Sequence, residues 1–131
     1  IERVKNDWHN LSHHGKDENK IDELEIIEKE EFSLFAKFIG DLKNHQENGS
    51  SLLTNTAVLF GSNLGNASSH DWRNLPIILA GGGYRHGSYV AHDSQDNTPL
   101  SNLFVPLAQR MGVSIDQFGK STKTSIRGLE S

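Results

Sequence analysis

Cysteine is absent from the 131 residues, so disulfides, thiolate zinc sites and cysteine redox couples are excluded. Methionine occurs once, as Met111, and proline three times. Hydrophobic residues make up 34% of the chain, against about 45–50% in ordinary globular domains even with glycine in that count. No apolar run approaches the about 20 residues of a bilayer-crossing helix, so no membrane span is expected. No cluster of Lys and Arg of the nucleic-acid-binding kind stands anywhere in the chain, so no nucleic acid partner is expected. Length points to one unit. A chain of this size ordinarily buries roughly two-thirds of its unfolded surface, and this one has little apolar material with which to do so. Position 1 is Ile1, and no charged-then-apolar leader stands at the front. The expectation is therefore a portion of a longer protein.

What is present is unevenly spread. Residues 1–50 hold twelve acids and seven bases, whereas residues 51–131 hold five acids and six bases. Most of the acid lies between Asp17 and Glu31, where it suits a solvated helix face and a helix N-terminus. Leu24, Ile27, Phe32, Phe35, Ile39 and Leu42, with Ile21 leading in, follow a 3.6-residue period that predicts a long helix over about residues 19–46. Asp17 or Asn19 can cap it, Lys43 and His45 suit its far end, and Asn48-Gly49 breaks it.

Thr56–Gly61 and Leu75–Ala80 read as two short buried strands, with Ser62–Asn74 a polar loop between them and Pro76 confined to a strand start or edge. Gly81-Gly82-Gly83 ends the second strand. It lacks the Gly-Lys-Ser/Thr ending of a phosphate loop and the G-x-G-x-x-G spacing. Thr98-Pro99 reads as a helix start, and Leu100, Leu103, Phe104, Leu107 and Met111 form the helix's apolar face, closed by Gly112. Pro106 inside that pattern is expected to kink or break it. Together these elements predict an α/β fold with a buried sheet. Two strands are too few for a stable sheet, so partner strands are expected elsewhere in a larger protein.

The chemistry concentrates in Trp8-His9-Asn10-Leu11-Ser12-His13-His14-Gly15. His9 and His13 are four apart, which on a helical turn puts both imidazoles on one face, close enough to share a metal ion. His14 points elsewhere and could bind a second ion, a substrate oxygen, or nothing, and Ser12 can support the ligands. Solvated surface histidines are the plain alternative. His70-Asp71, in the loop between the strands, can add a metal ligand, or a ligand and its orienting carboxylate. The plain alternative there is a polar surface loop. His86 and His92 read as surface positions and His45 as a helix-end residue. No serine sits in a G-x-S-x-G elbow, which leaves little for a serine-hydrolase reading.

His9-Asn10-Leu11-Ser12-His13-His14 resembles the motif of the bacterial H-x-x-S-H-H proteins, a family of unknown function. The later segments agree: Leu59-Phe60-Gly61-Ser62, then His70-Asp71 with Asn74-Leu75-Pro76-Ile77-Ile78-Leu79-Ala80-Gly81, then Thr98-Pro99-Leu100-Ser101-Asn102-Leu103, then Arg110-Met111-Gly112-Val113 and Phe118-Gly119. The similarity covers nearly the whole chain and aligns it with the C-terminal part of longer proteins, many of them exported. That family is in turn similar to the alkaline phosphatase and sulfatase superfamily, an α/β/α sandwich in which an acid and a histidine four residues on bind metal before a long helix.

The resemblance implies that residues 1–131 are the C-terminal portion of an alkaline phosphatase-like domain. It implies a metal-dependent hydrolase of phosphate or sulfate esters, with His9, His13, His70 and Asp71 as metal ligands and His14 as substrate contact or general acid. A divalent ion is implied, zinc first, with manganese or calcium as alternatives. The superfamily places an Asp-His pair after the next strand, where this chain has Ser62-Asn63, and its nucleophile has no counterpart here. The chain alone is therefore expected to be inactive and inclined to self-associate. A non-catalytic exported module with a degenerate metal site is the competing expectation, and an independent small metal-binding domain a third.

Overall fold

The computed structural model describes residues 1–129. The chain divides into two compact units, one of residues 1–52 with 61–76, the other of residues 53–60 with 77 onward.

In the first unit, α1 (Trp8–Ser12) starts at Asp7, whose carboxylate accepts the Asn10 N–H at 2.9 Å. This N-cap satisfies a donor that the helix itself cannot. Leu11 is the fully buried anchor of the turn. The long helix α2 spans Glu18–Asn44, two residues from the predicted end and one from the predicted start. Of the two candidate caps it uses Asp17, which accepts from Asn19 and Lys20. Its polar end is closed by His45, whose backbone N–H and Nδ1 both reach the Asp41 carbonyl. Leu24, Ile27, Phe35, Ile39 and Leu42 are half-buried as the periodicity requires, but Ile21 and Phe32 are exposed. Asn48-Gly49 does more than end the helix. With φ of 51° and 82°, it makes the tight turn that pairs β1 (Gln46–Glu47) antiparallel with β2 (Ser50–Ser51).

In the second unit, the short α3 (Leu52–Asn55) precedes β3 (Ala57–Gly61). β3 pairs with β4 (Ile77–Gly81) in a two-stranded antiparallel sheet. The fold is thus mixed α and β, but the buried sheet expected from the two apolar runs is not formed among the described residues. β3 alternates exposed and half-buried positions, and Leu59 and Ile78 are exposed. A two-stranded ribbon has one covered face at most, so apolar side chains on the other face meet water.

Helix α4 (Ser101–Arg110) begins after Leu100, without a side-chain cap. Thr98, expected to cap it, instead engages the His92 ring through its hydroxyl at 3.0 Å. Pro106 lies inside α4 without breaking it. The cost is one backbone bond, since proline has no N–H to give the preceding turn. The helix closes as a Schellman motif, with Gly112 N–H on the Gln109 carbonyl and Val113 N–H on that of Ala108. Its buried side chains are Asn102, Leu103 and Val105, while Met111 projects into solvent. Asn102 is 1% exposed. Its Oδ1 accepts the N–H groups of Thr122 and Lys123, which ties the C-terminal segment to the helix.

Candidate functional site

Burial of Leu11 decides where the histidines of α1 point. At 3.6 residues per turn, positions two before and two after Leu11 both lie about 160° around the helix from it. His9 and His13 therefore share the outer face, and their ring centroids are 4.8 Å apart. The third member arrives from the loop after β3. There the Asn66↔Asp71 bridge closes a tight turn. Asp71 N–H donates to the Asn66 carbonyl at 2.9 Å and Gly65 N–H to the Asp71 carbonyl at 2.7 Å. Gly65 has to be glycine, because a Cβ there would run into the Arg73 carbonyl.

Within the turn, His70 takes φ +53°, a left-handed conformation that costs a branched or bulky residue about 1–2 kcal/mol. This orientation brings His70 Nε2 to 3.3 Å from His13 Nε2, with ring centroids 4.9 Å apart and nearly edge to face. Ser68 adds the second link between loop and helix. Its hydroxyl donates to the Ser12 carbonyl and accepts the Gly15 N–H, both at 3.4 Å. Partial desolvation, followed by the neighbouring charges of His9, His70 and Lys20, holds the His13 pKa below the usual histidine value. His13 is thereby biased toward the neutral imidazole that a metal requires.

The other predicted residues are placed differently. The Asp71 carboxylate is taken by Arg73, through Nε at 3.0 Å and a terminal nitrogen at 3.1 Å. That guanidinium, and then the Arg73 backbone N–H, lower the Asp71 pKa. His14 Nδ1 accepts the Lys16 N–H at 3.1 Å, which puts the proton of its neutral form on Nε2. Ser12 donates to the His9 carbonyl at 2.8 Å and so serves α1 itself. His86 Nε2 contacts the Gly81 carbonyl at 2.8 Å, in the second unit. Ser68 was not foreseen, although the polar run Asn66–Asp71 carries the composition of a tight turn.

The His13–His70 separation matches one edge of a tetrahedral zinc site in distance alone. Two nitrogens at the usual zinc distance of about 2.0–2.1 Å stand about 3.3–3.4 Å apart along a tetrahedral edge, the separation of His13 and His70. Among the described residues no group of three or more His, Cys, Asp or Glu side chains is placed to hold a metal ion. Among the described residues, His13 and His70 meet at their ring nitrogens, with the His9 ring beside His13. No helix among the described residues is long and apolar enough to cross a membrane. Comparisons with protein-family profiles, curated proteins and solved structures found no match.

Proposed function

We propose that this chain is the C-terminal part of a longer, exported α/β protein related to the H-x-x-S-H-H family and built on an alkaline phosphatase-like sandwich. In this reading it contributes to a metal-dependent site acting on phosphate or sulfate esters. The observation that carries the reading is the convergence of His13 and His70 from segments 57 positions apart. Both would hold a divalent ion, zinc before manganese or calcium, with His9 next in reach on the same helix face. When bound, such an ion polarises an ester oxygen and stabilises the leaving group.

The remaining roles belong to the chain's own groups. His14, with Nδ1 occupied by the Lys16 N–H, keeps its proton on Nε2, where it can donate to a substrate or leaving-group oxygen. Asp71 holds Arg73 in a fixed orientation, and a guanidinium so fixed is suited to a phosphate or sulfate oxygen. The nucleophile and further ligands would come from other parts of the protein. The test is an assay of the longest natural chain on aryl phosphates and aryl sulfates, with metal content measured in parallel. Stoichiometric metal, and turnover lost in His13→Gln, is the expected result. Turnover indifferent to His13→Gln refutes the proposal.

A second reading, a non-catalytic exported module, is favoured by one specific feature. Asp71, the sequence neighbour of His70, is paired with Arg73, and Ser62-Asn63 follow β3 in place of an Asp-His pair. Metal binding without turnover on either ester class would select it.

A further inference from the structure

We infer that Asn48 is a self-modifying position: in the folded chain its side-chain amide is released by attack of the Gly49 nitrogen, at a rate set by opening of the β1–β2 hairpin. Of the asparagines in the sequence, Asn48 alone is followed by glycine. Both residues are exposed, and a Cβ built on Gly49 would meet nothing within 4 Å. Glycine has no side chain to obstruct its own nitrogen, so the attack is least hindered at this step of the chain.

The chemistry needs only water. The Gly49 nitrogen forms a bond to Asn48 Cγ and gives up its proton, and the Cγ–Nδ2 bond breaks with release of ammonia. The five-membered imide then takes up one water. Opening at Cγ leaves aspartate. Opening at the Asn48 main-chain carbonyl leaves isoaspartate, whose main chain runs through Cβ and Cγ. One ammonia leaves, one water enters, and nothing is oxidised or reduced.

The fold holds this reaction back. The φ values of 51° and 82° at Asn48 and Gly49 are those of a type I′ turn. Such a turn gives its first central residue a ψ of about 30°, which puts the Gly49 nitrogen on the far side of the Cα–C bond from Asn48 Cβ. Ring closure needs the two on the same side, so ψ must rotate out of the turn. The pairs Gln46↔Ser51 and Glu47↔Ser50 oppose that rotation, together with the Ser50 hydroxyl on the Glu47 carbonyl at 3.3 Å and the Leu52 N–H on the His45 carbonyl at 2.9 Å. A hairpin this short is marginal and opens locally at small cost. Asn74 is the internal comparison. Its φ of 53° is close to that of Asn48, but Leu75 follows it, and a leucine side chain crowds the attacking nitrogen.

The two products differ in effect. Aspartate keeps the type I′ preference. Isoaspartate adds a main-chain carbon that a two-residue turn cannot carry, and so unpairs β1 from β2. Either product adds a negative charge just past the C-terminal end of α2, where the helix dipole disfavours it.

The test is peptide mapping by mass spectrometry on the full chain, held at mildly alkaline pH with and without urea, with released ammonia assayed in parallel. A gain of about 1 Da is expected in the peptide holding Asn48, with aspartate and isoaspartate both present. Loss of the amide is expected to be at least about threefold faster in urea, where the hairpin is open. The Asn74 peptide is expected to keep its mass over the same period. An amide lost equally fast with and without urea overturns control by the hairpin. An Asn48 amide that persists without urea overturns modification of the folded chain. A mass gain at Asn74 ahead of Asn48 overturns the role of Gly49.

Discussion

Nε2 of His13 stands 3.3 Å from Nε2 of His70, although 57 positions separate them in the chain. One partner is set by a helix whose buried Leu11 turns His9 and His13 outward. The other is set by a turn whose left-handed residue is His70 itself. Ser68 adds two further bonds between the segments, to the Ser12 carbonyl and from the Gly15 N–H.

The backbone at His70 separates strain from chemistry. Replacing His70 by Gly removes the imidazole and relieves the left-handed conformation, while replacing it by Val removes the imidazole and worsens the strain. Val is expected to be less stable than Gly by about 1–2 kcal/mol. Urea denaturation of the two variants measures the difference. Equal stabilities would mean that the turn has rearranged away from φ +53°.

A second relationship in the same unit gives a pH prediction. Glu23 of α2 accepts the backbone N–H groups of Lys5 and Asn6 at 2.8 and 3.1 Å. Those bonds favour the carboxylate and lower its pKa from 4.5. A lowered folded-state pKa means that the contact's contribution is complete above about pH 4.5 and is lost as pH falls through the lower folded value. The Lys5 and Asn6 amide resonances should therefore titrate with a midpoint below 4.5. In Glu23→Gln they should show no such titration. A midpoint at or above 4.5 in the unsubstituted chain would contradict the assignment.

How much of this was legible in the sequence depends on range. The 3.6-residue period of Leu24, Ile27, Phe35, Ile39 and Leu42 was enough to place α2, because one helix face is a local property. The spacing of His9 and His13 was equally local. That His70 would join them was suggested only by its loop position, since the approach is made by a left-handed residue and by Ser68, neither visible as a pattern. Asp71 was read as a ligand because it neighbours His70. Arg73, two residues on, competes for its carboxylate more effectively than a distant site can. The strands were read as buried because apolar runs carry no record of how many faces will be covered. Nothing in the local pattern marks Asn102 as buried, and burial makes it a structural acceptor.

That role of Asn102 is testable. Asn102→Ala would remove the buried acceptor that Thr122 and Lys123 N–H reach at 2.8 and 3.3 Å. The expected loss is about 1–2 kcal/mol. Asn102→Asp keeps the acceptor, forfeits the Nδ2 donation to Thr122 Oγ1 and buries a carboxylate at a 1%-exposed position, so it should lose less than Ala in chemical denaturation only at a pH low enough to protonate it, below about 4. An Asp variant no better than Ala at that pH would show that the backbone bonds do not depend on the oxygen.

The glycine run after β4 gives the last prediction, because its members share a conformation and differ in surroundings. Gly81 and Gly83 both have positive φ, 71° and 68°, so alanine at either pays a similar conformational cost of about 1–2 kcal/mol. A Cβ on Gly81 would also meet the carbonyl oxygens of Thr56 and Leu53. Those are backbone atoms fixed by neighbouring structure, and they cannot yield without moving α3. A Cβ on Gly83 would meet the Arg110 guanidinium, the end of a flexible side chain that can swing aside at the expense of its bond to the Gly83 carbonyl and its place 4.6 Å from the Tyr84 ring centre. Gly81→Ala should therefore be more destabilising than Gly83→Ala by about 1–3 kcal/mol. Thermal unfolding of both variants tests the order. Gly83→Ala should in addition perturb the Tyr84 ring resonances, because the displaced Arg110 guanidinium lies over that ring.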